Sequence, residues 1–102
     1  MQHDDRFVEA LYVGGEWIAP SSPQRIEVEN PATEQVIGHV PAGQAADMDR
    51  AVAAAKEAFP RWSALSRAER AEHLAALHEG LTKRRDEMAA TITAEMGAPA
   101  GI

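Results

Sequence analysis

Residues 66–97 read SRAERAEHLAALHEGLTKRRDEMAATITAEMG, and their pattern is helical almost throughout. Ser66 and Glu69 have the S-x-x-E spacing of a capping box: the serine hydroxyl accepts from the Glu69 amide, and the Glu69 carboxylate accepts from the Ser66 amide. Glu69 and Glu72 suit the positive end of the helix dipole. Ala71, Leu74, Leu77, His78 and Leu81 recur at the i, i+3, i+4 spacing of one buried face. Lys83, Arg84 and Arg85 put cations where a helix C-terminus stabilises them. Asp86 reads as a second N-cap opening EMAATITAEM, in which Met88, Ile92 and Met96 share a face. Gly97 and Pro99 end that run. The spacing predicts two helices, over 67–84 and 87–96, meeting near Arg85. Unbroken, about 30 residues would span roughly 45 Å, long for so small a chain.

What precedes this stretch supplies packing for its apolar side. Residues 1–6 are polar and read as frayed, with disorder expected through residue 9. ALYVGGEWI, residues 10–18, sets short β-favouring runs on either side of Gly14-Gly15. A glycine pair between such runs is a hairpin signal, because glycine takes the positive φ angles of primed turns. A phosphate cradle would need a strand–GxGxxG–helix context, which does not follow. APSSPQ, residues 19–24, is a connector. Ile26 and Val28 alternate onto one face in RIEVE. Asn30-Pro31-Ala32-Thr33 fits a type I turn, and VIGHV, residues 36–40, returns as a strand. The two hairpins are expected to form one small antiparallel sheet. A first helix follows over residues 45–61, with Met48, Ala51, Val52, Ala55, Ala58 and Phe59 in a stripe that Trp62 extends. Asp47 and Asp49 favour its start. Pro60 is expected to end or kink it, because proline lacks the amide donor and crowds the preceding turn. The fold class is therefore α+β: two N-terminal β-hairpins, then two to three long amphipathic α-helices.

Composition narrows the function. The 102 residues are 45% hydrophobic but only 5% aromatic, and much of the apolar content is alanine, which buries little area. The core this chain builds alone is thin, and the helices are expected to expose apolar patches. A net charge of −6 opposes binding to nucleic-acid backbones and anionic membranes. With no cysteine, disulfides, thiolate zinc sites and a cysteine nucleophile are excluded within these residues. No apolar run approaches the ~20 residues of a membrane span, and MQHDDRF does not resemble a secretory signal. Cytoplasm is the expected compartment.

No catalytic constellation emerges. His39 lies in a strand with no second ligand at metal spacing. His73 and His78 are five apart, whereas helical metal pairs sit three or four apart. Glu79 and Lys83 are four apart and read as part of a solvated, salt-bridged face. Arg84-Arg85 reads as a helix-end cation pair rather than a phosphate grip. No serine or threonine has a base and an orienting acid placed by motif. Residue chemistry alone allows a free-standing helical module that binds a partner through its alanine-rich stripe.

Taken in order, these pieces resemble the N-terminal segment of the aldehyde dehydrogenase superfamily. LYVGGEWI resembles the family's opening hairpin. ENPATEQVIGHVPAG resembles its strand–turn–strand, and DMDRAVAAAKEAFPRWSALSRAERAEHLAAL its first helix, Phe-Pro-x-Trp break and Arg-led second helix. EMGAP resembles the segment closing the long helices. The likeness runs from Leu11 to Pro99. Two positions depart from it: the family usually has Gly where Glu34 stands, and often Lys where Ala98 stands.

The resemblance implies NAD(P)-dependent oxidation of an aldehyde to a carboxylic acid, through a thiohemiacetal and hydride transfer, by a dimeric or tetrameric enzyme of α/β fold. Residues 1–102 would be the incomplete N-terminal part of its cofactor-binding domain, and its partner the remainder of the dehydrogenase chain. The family's nucleophilic Cys and general-base Glu belong to later segments, so no catalytic, cofactor-binding or metal residue is assigned here, and no cofactor is expected on this segment alone. In some members a monovalent cation sits near backbone carbonyls of the stretch resembling Val28–Glu29 and an acidic side chain aligned with Glu95.

Overall fold

A computed structural model of the chain describes residues 7–99. The expectation that residues 1–6 fray lies outside the described residues. Four strands precede three helices: β1 (Leu11–Val13), β2 (Glu16–Ile18), β3 (Arg25–Glu29), β4 (Val36–Pro41), α1 (Ala45–Ala64), α2 (Arg67–Lys83) and α3 (Arg85–Met96).

The first hairpin turns through Gly14 at φ 62° and Gly15 at φ 83°, the pair of left-handed residues that a two-residue primed turn requires. It pairs Leu11 with Ile18, Tyr12 with Trp17 and Val13 with Glu16. The Tyr12 and Trp17 rings meet edge to face with centroids 5.2 Å apart, a cross-strand contact that supports a ribbon this short. In the second hairpin β3 and β4 pair antiparallel, with an irregularity at Val28/Glu29. Its turn is organised by Asn30, whose Oδ1 accepts from the amides of Ala32 at 2.8 Å and Thr33 at 3.3 Å. Glu34 holds the left-handed position of that turn at φ 61°, so the turn keeps its shape without glycine.

The hairpins do not merge. They are two separate two-stranded sheets, contrary to the single sheet expected from sequence. The first hairpin instead lies along α1: a Cβ added to Gly14 would come 3.6 Å from the Ala54 Cβ. Small residues on both sides make that approach possible. Nor is the segment just before β1 disordered: Phe7 bridges to His39 in parallel register, and the Val8 amide donates to the His39 carbonyl at 3.0 Å.

α1 runs through Pro60 to Ala64, where the sequence reading ended it near Arg61. Proline sacrifices one i→i−4 bond and crowds the turn before it, at about 3 kcal/mol, but leaves the carbonyls that follow usable. The helix resumes, the Ser63 hydroxyl donates to the Pro60 carbonyl at 3.2 Å, and the Leu65 amide closes the last turn on Trp62 at 3.1 Å. α2 begins as expected. The Ser66 amide donates to Glu69 Oε1 at 2.9 Å and the Glu69 amide donates to Ser66 Oγ at 3.1 Å. The junction with α3 is tighter than the sequence suggested. Arg84 is the cap between the two helices, and Asp86 sits inside the first turn of α3 without capping it. Its charge still suits the positive end of that helix. Gly97, at φ 78°, closes α3 in the left-handed conformation.

Among the described residues only Ala10, Gly38 and Asp47 are buried. The stripe of α2 is open to solvent, with Leu74 and Leu77 59% and 58% exposed. On α1, Met48, Val52 and Phe59 are equally open. An amphipathic stripe is pronounced on α1 and weak on α2 and α3, and among the described residues the apolar side chains of all three helices stay uncovered.

Candidate functional site

The best-ordered polar cluster is built around Asp47, in the first turn of α1. Its Oδ1 accepts from the Ser21 amide at 2.9 Å. Its Oδ2 accepts from the Ser21 hydroxyl at 3.0 Å and from the Gln44 amide at 2.9 Å. One carboxylate, 4% exposed, thereby caps the helix and ties down the connector between the hairpins. The Gln44 amide chiefly holds the Asp47 carboxyl below its ordinary range; burial opposes this, and Ser21 and Arg50 add to it. The sequence showed Asp47 only as a helix-start acid. Nothing in the Pro- and Ser-containing connector marked Ser21 as its partner, 26 residues away.

A second cluster pins the segment before β1. Glu9 Oε1 meets His39 Nε2 at 2.7 Å and its Oε2 lies 3.4 Å from Arg25 Nη2, while the Phe7 ring sits edge-on to His39 at 5.2 Å. His39 is thus a packing residue at a three-way junction. A third cluster fixes the elbow between α1 and α2. Arg70 Nη1 donates to the Leu65 carbonyl, and the Trp62 and His73 rings lie 5.6 Å apart.

The remaining residues weighed for chemistry are scattered. Gly14 and Gly15 are the hairpin tip. His78 lies on exposed α2, where its carbonyl accepts from the Thr82 hydroxyl at 2.8 Å. Arg84 grips Glu87 through two contacts of 2.9 and 2.5 Å. Lys83 pairs with Glu79 at 3.2 Å, as the spacing predicts. Ser66 holds the Glu69 carboxyl below its ordinary range through its amide, then its hydroxyl. Val28 and Glu95 do come together: with Ile37, Val40, Ala90 and Ala94 they line a 340 Å³ cavity between the second hairpin and α3. Among the described residues no three His, Asp or Glu side chains converge as metal ligands; this cavity offers one carboxylate, Glu95, and Thr91 beside apolar groups. No described helix is long and apolar enough to cross a membrane.

Among the described residues such an arrangement braces and positions secondary structure. What it does present is a fixed set of helices with uncovered apolar faces. Residues 17–101 match the family model described as the aldehyde dehydrogenase family. Geranial dehydrogenase of Castellaniella defragrans is 39% identical over 90% of this chain and 20% of its own length. Glutarate-semialdehyde dehydrogenase of Pseudomonas putida is 40% identical over 91% of this chain and 19% of its own. An aldehyde dehydrogenase of Pseudomonas syringae, solved with NAD+ and octanal, superposes with a TM-score of 0.91 at 46% identity, covering 97% of this chain and 20% of that one. The Mycobacterium tuberculosis enzyme, solved with NAD+, gives 0.88 at 39%, covering 95% and 21%. The chain belongs to the aldehyde dehydrogenase family, and it spans about one fifth of the length of these relatives.

Proposed function

We propose that this chain is the N-terminal scaffold of an NAD(P)-dependent aldehyde dehydrogenase, which oxidises an aldehyde to a carboxylic acid. Residues 1–102 would form the first, non-catalytic part of its cofactor-binding domain. The observation that carries the reading is a mismatch within the structure. The three helices keep the arrangement of enzymes about five times longer, yet their apolar faces are open. Helices pack their apolar stripes against something, and here that partner is the remainder of the dehydrogenase chain. The role of the segment is mechanical: it supports the dinucleotide-binding sheet, while nucleophile, base and cofactor contacts come from later residues. The enzyme works in the cytoplasm as a homo-oligomer, dimer or tetramer, with NAD or NADP as its oxidant.

The test is to read the coding DNA beyond Ile102 and to assay both products. An open frame encoding a glycine-containing strand–helix turn and later a cysteine, with aldehyde-dependent NAD(P)H formation by the longer product and none by the 102 residues, is the expected result. Aldehyde-dependent reduction by the 102 residues alone would overturn the scaffold reading.

A further inference from the structure

The two strands of the second hairpin protect their outer edges differently. β3, RIEVE, carries Arg25, Glu27 and Glu29. β4, VIGHVP, carries no carboxylate, lysine or arginine, and its Val36 and Val40 are exposed. An edge strand offers unpaired amides and carbonyls to any other strand, and charged side chains are a common defence. β4 lacks that defence, and its valines and isoleucine favour pairing. Two local features shorten the edge: the irregular pairing at Val28/Glu29, and Pro41, which has no amide to donate.

His39 lies between them, and there another segment covers the edge. Phe7 bridges to His39 in parallel register, on the side of β4 away from β3, and the Val8 amide donates to the His39 carbonyl at 3.0 Å. This cover is short, so side chains must help to hold it. The Phe7 ring stands edge-on to the His39 ring at 5.2 Å. Glu9 meets His39 Nε2 at 2.7 Å through one oxygen and Arg25 Nη2 at 3.4 Å through the other. Glu9 thereby clasps the segment to β4 and to the first residue of β3 at once. Both Glu9 and Arg25 are about half exposed, and an ion pair so open to water contributes little. A cover held by one bridge and an exposed clasp opens more readily than the paired strands beneath it.

We infer that Phe7–Glu9 is a releasable strap over the β4 edge, latched by Glu9 on His39 and Arg25, and that the uncovered edge pairs with β4 of a second copy of this chain. The seated strap shows that this edge accepts a strand. A second β4 suits it because it brings no acidic side chain, whereas β3 would bring Glu27 and Glu29 towards Glu9. The inference draws on neither the helices nor the scaffold reading, so the two fail separately.

Glu9→Ala in the 102-residue chain tests it, by hydrogen–deuterium exchange at low and high protein concentration. The Val8 amide should exchange at least about tenfold faster than in the native chain, with the amides paired between β3 and β4 still protected. The His39 amide, which points the same way as its carbonyl, should gain protection as concentration rises, and only in the variant. Adding Val36→Lys puts a charge on the edge, opposite Glu29 in register, and should abolish that concentration dependence while Val8 stays fast. Unchanged Val8 exchange in Glu9→Ala would overturn the latch. An open strap without concentration-dependent protection of His39 would overturn the edge pairing, and so would concentration dependence that survives Val36→Lys. Glu9→Gln keeps an acceptor for His39 and removes the charge facing Arg25, and should release Val8 in part. Loss of the β3–β4 protection in both Glu9 variants would make Glu9 a support of the hairpin itself and overturn the inference.

Discussion

Ser21 gives both of its hydrogen-bond donors to Asp47, amide to Oδ1 and hydroxyl to Oδ2. A carboxylate accepts both; an amide side chain has only one oxygen to offer. Asp47→Asn should therefore loosen the connector and the start of α1 together, seen as earlier urea release of the Ser21 and Gln44 amide resonances. The carboxyl is held below its unfolded value near 3.8, so its contribution is complete above that pH and is lost as pH falls through the lower folded value. Acidification through that folded value should bring the connector and the start of α1 in the native chain towards the level of Asp47→Asn, whose own shallower slope over the acid range comes from groups such as Glu69.

Glu34 occupies a left-handed position at φ 61°, where a side chain costs about 1–2 kcal/mol. Glycine relieves that cost and returns part of it as unfolded-state freedom. Glu34→Gly should stabilise the second hairpin by about 0.5–1 kcal/mol, read from the denaturation midpoint of the β4 amides. Glu34→Val, branched at Cβ, should lower the same midpoint.

Gly97 closes α3 at φ 78°, and a Cβ added there would lie 3.4 Å from the Pro31 ring. Gly97→Ala adds backbone strain of about 1–2 kcal/mol at this left-handed position, with the new methyl in ordinary contact with Pro31. The tether between α3 and the Asn30 turn should weaken, visible as faster exchange at Thr93–Met96 and altered shifts at Ala32 and Thr33, with α1 unchanged.

Pro60 leaves α1 one bond short. Pro60→Ala should raise helicity by circular dichroism and stabilise the last turns of α1 by up to about 3 kcal/mol. A fall in helicity would mean that the proline shapes the elbow at Leu65 and Ser66.

The local chemistry was legible because it is short-range. The Ser66–Glu69 box, the Gly14-Gly15 turn and the Gly97 stop involve neighbours four residues apart or fewer, and the sequence displays those spacings directly. Asp86 was misjudged because Arg84 already ends α2 and opens α3, leaving no residue between helices for a separate cap. Pro60 does not end α1, because a lost bond penalises a helix without forbidding it. The Ser21–Asp47 and Glu9–His39–Arg25 contacts join segments far apart in sequence, and no periodicity encodes them. The family came from the order of motifs, none of them catalytic.

The uncovered row from Leu74 to Ile92 also sets a timing problem. In a dehydrogenase as long as its relatives, about 400 residues follow this segment, which at roughly 5–20 residues per second is about 20–80 s of synthesis. Throughout that interval the nascent chain carries an apolar surface with no body to cover it. In such a chain the salt-bridged and acidic faces around that row would have to keep the polypeptide dispersed over that interval.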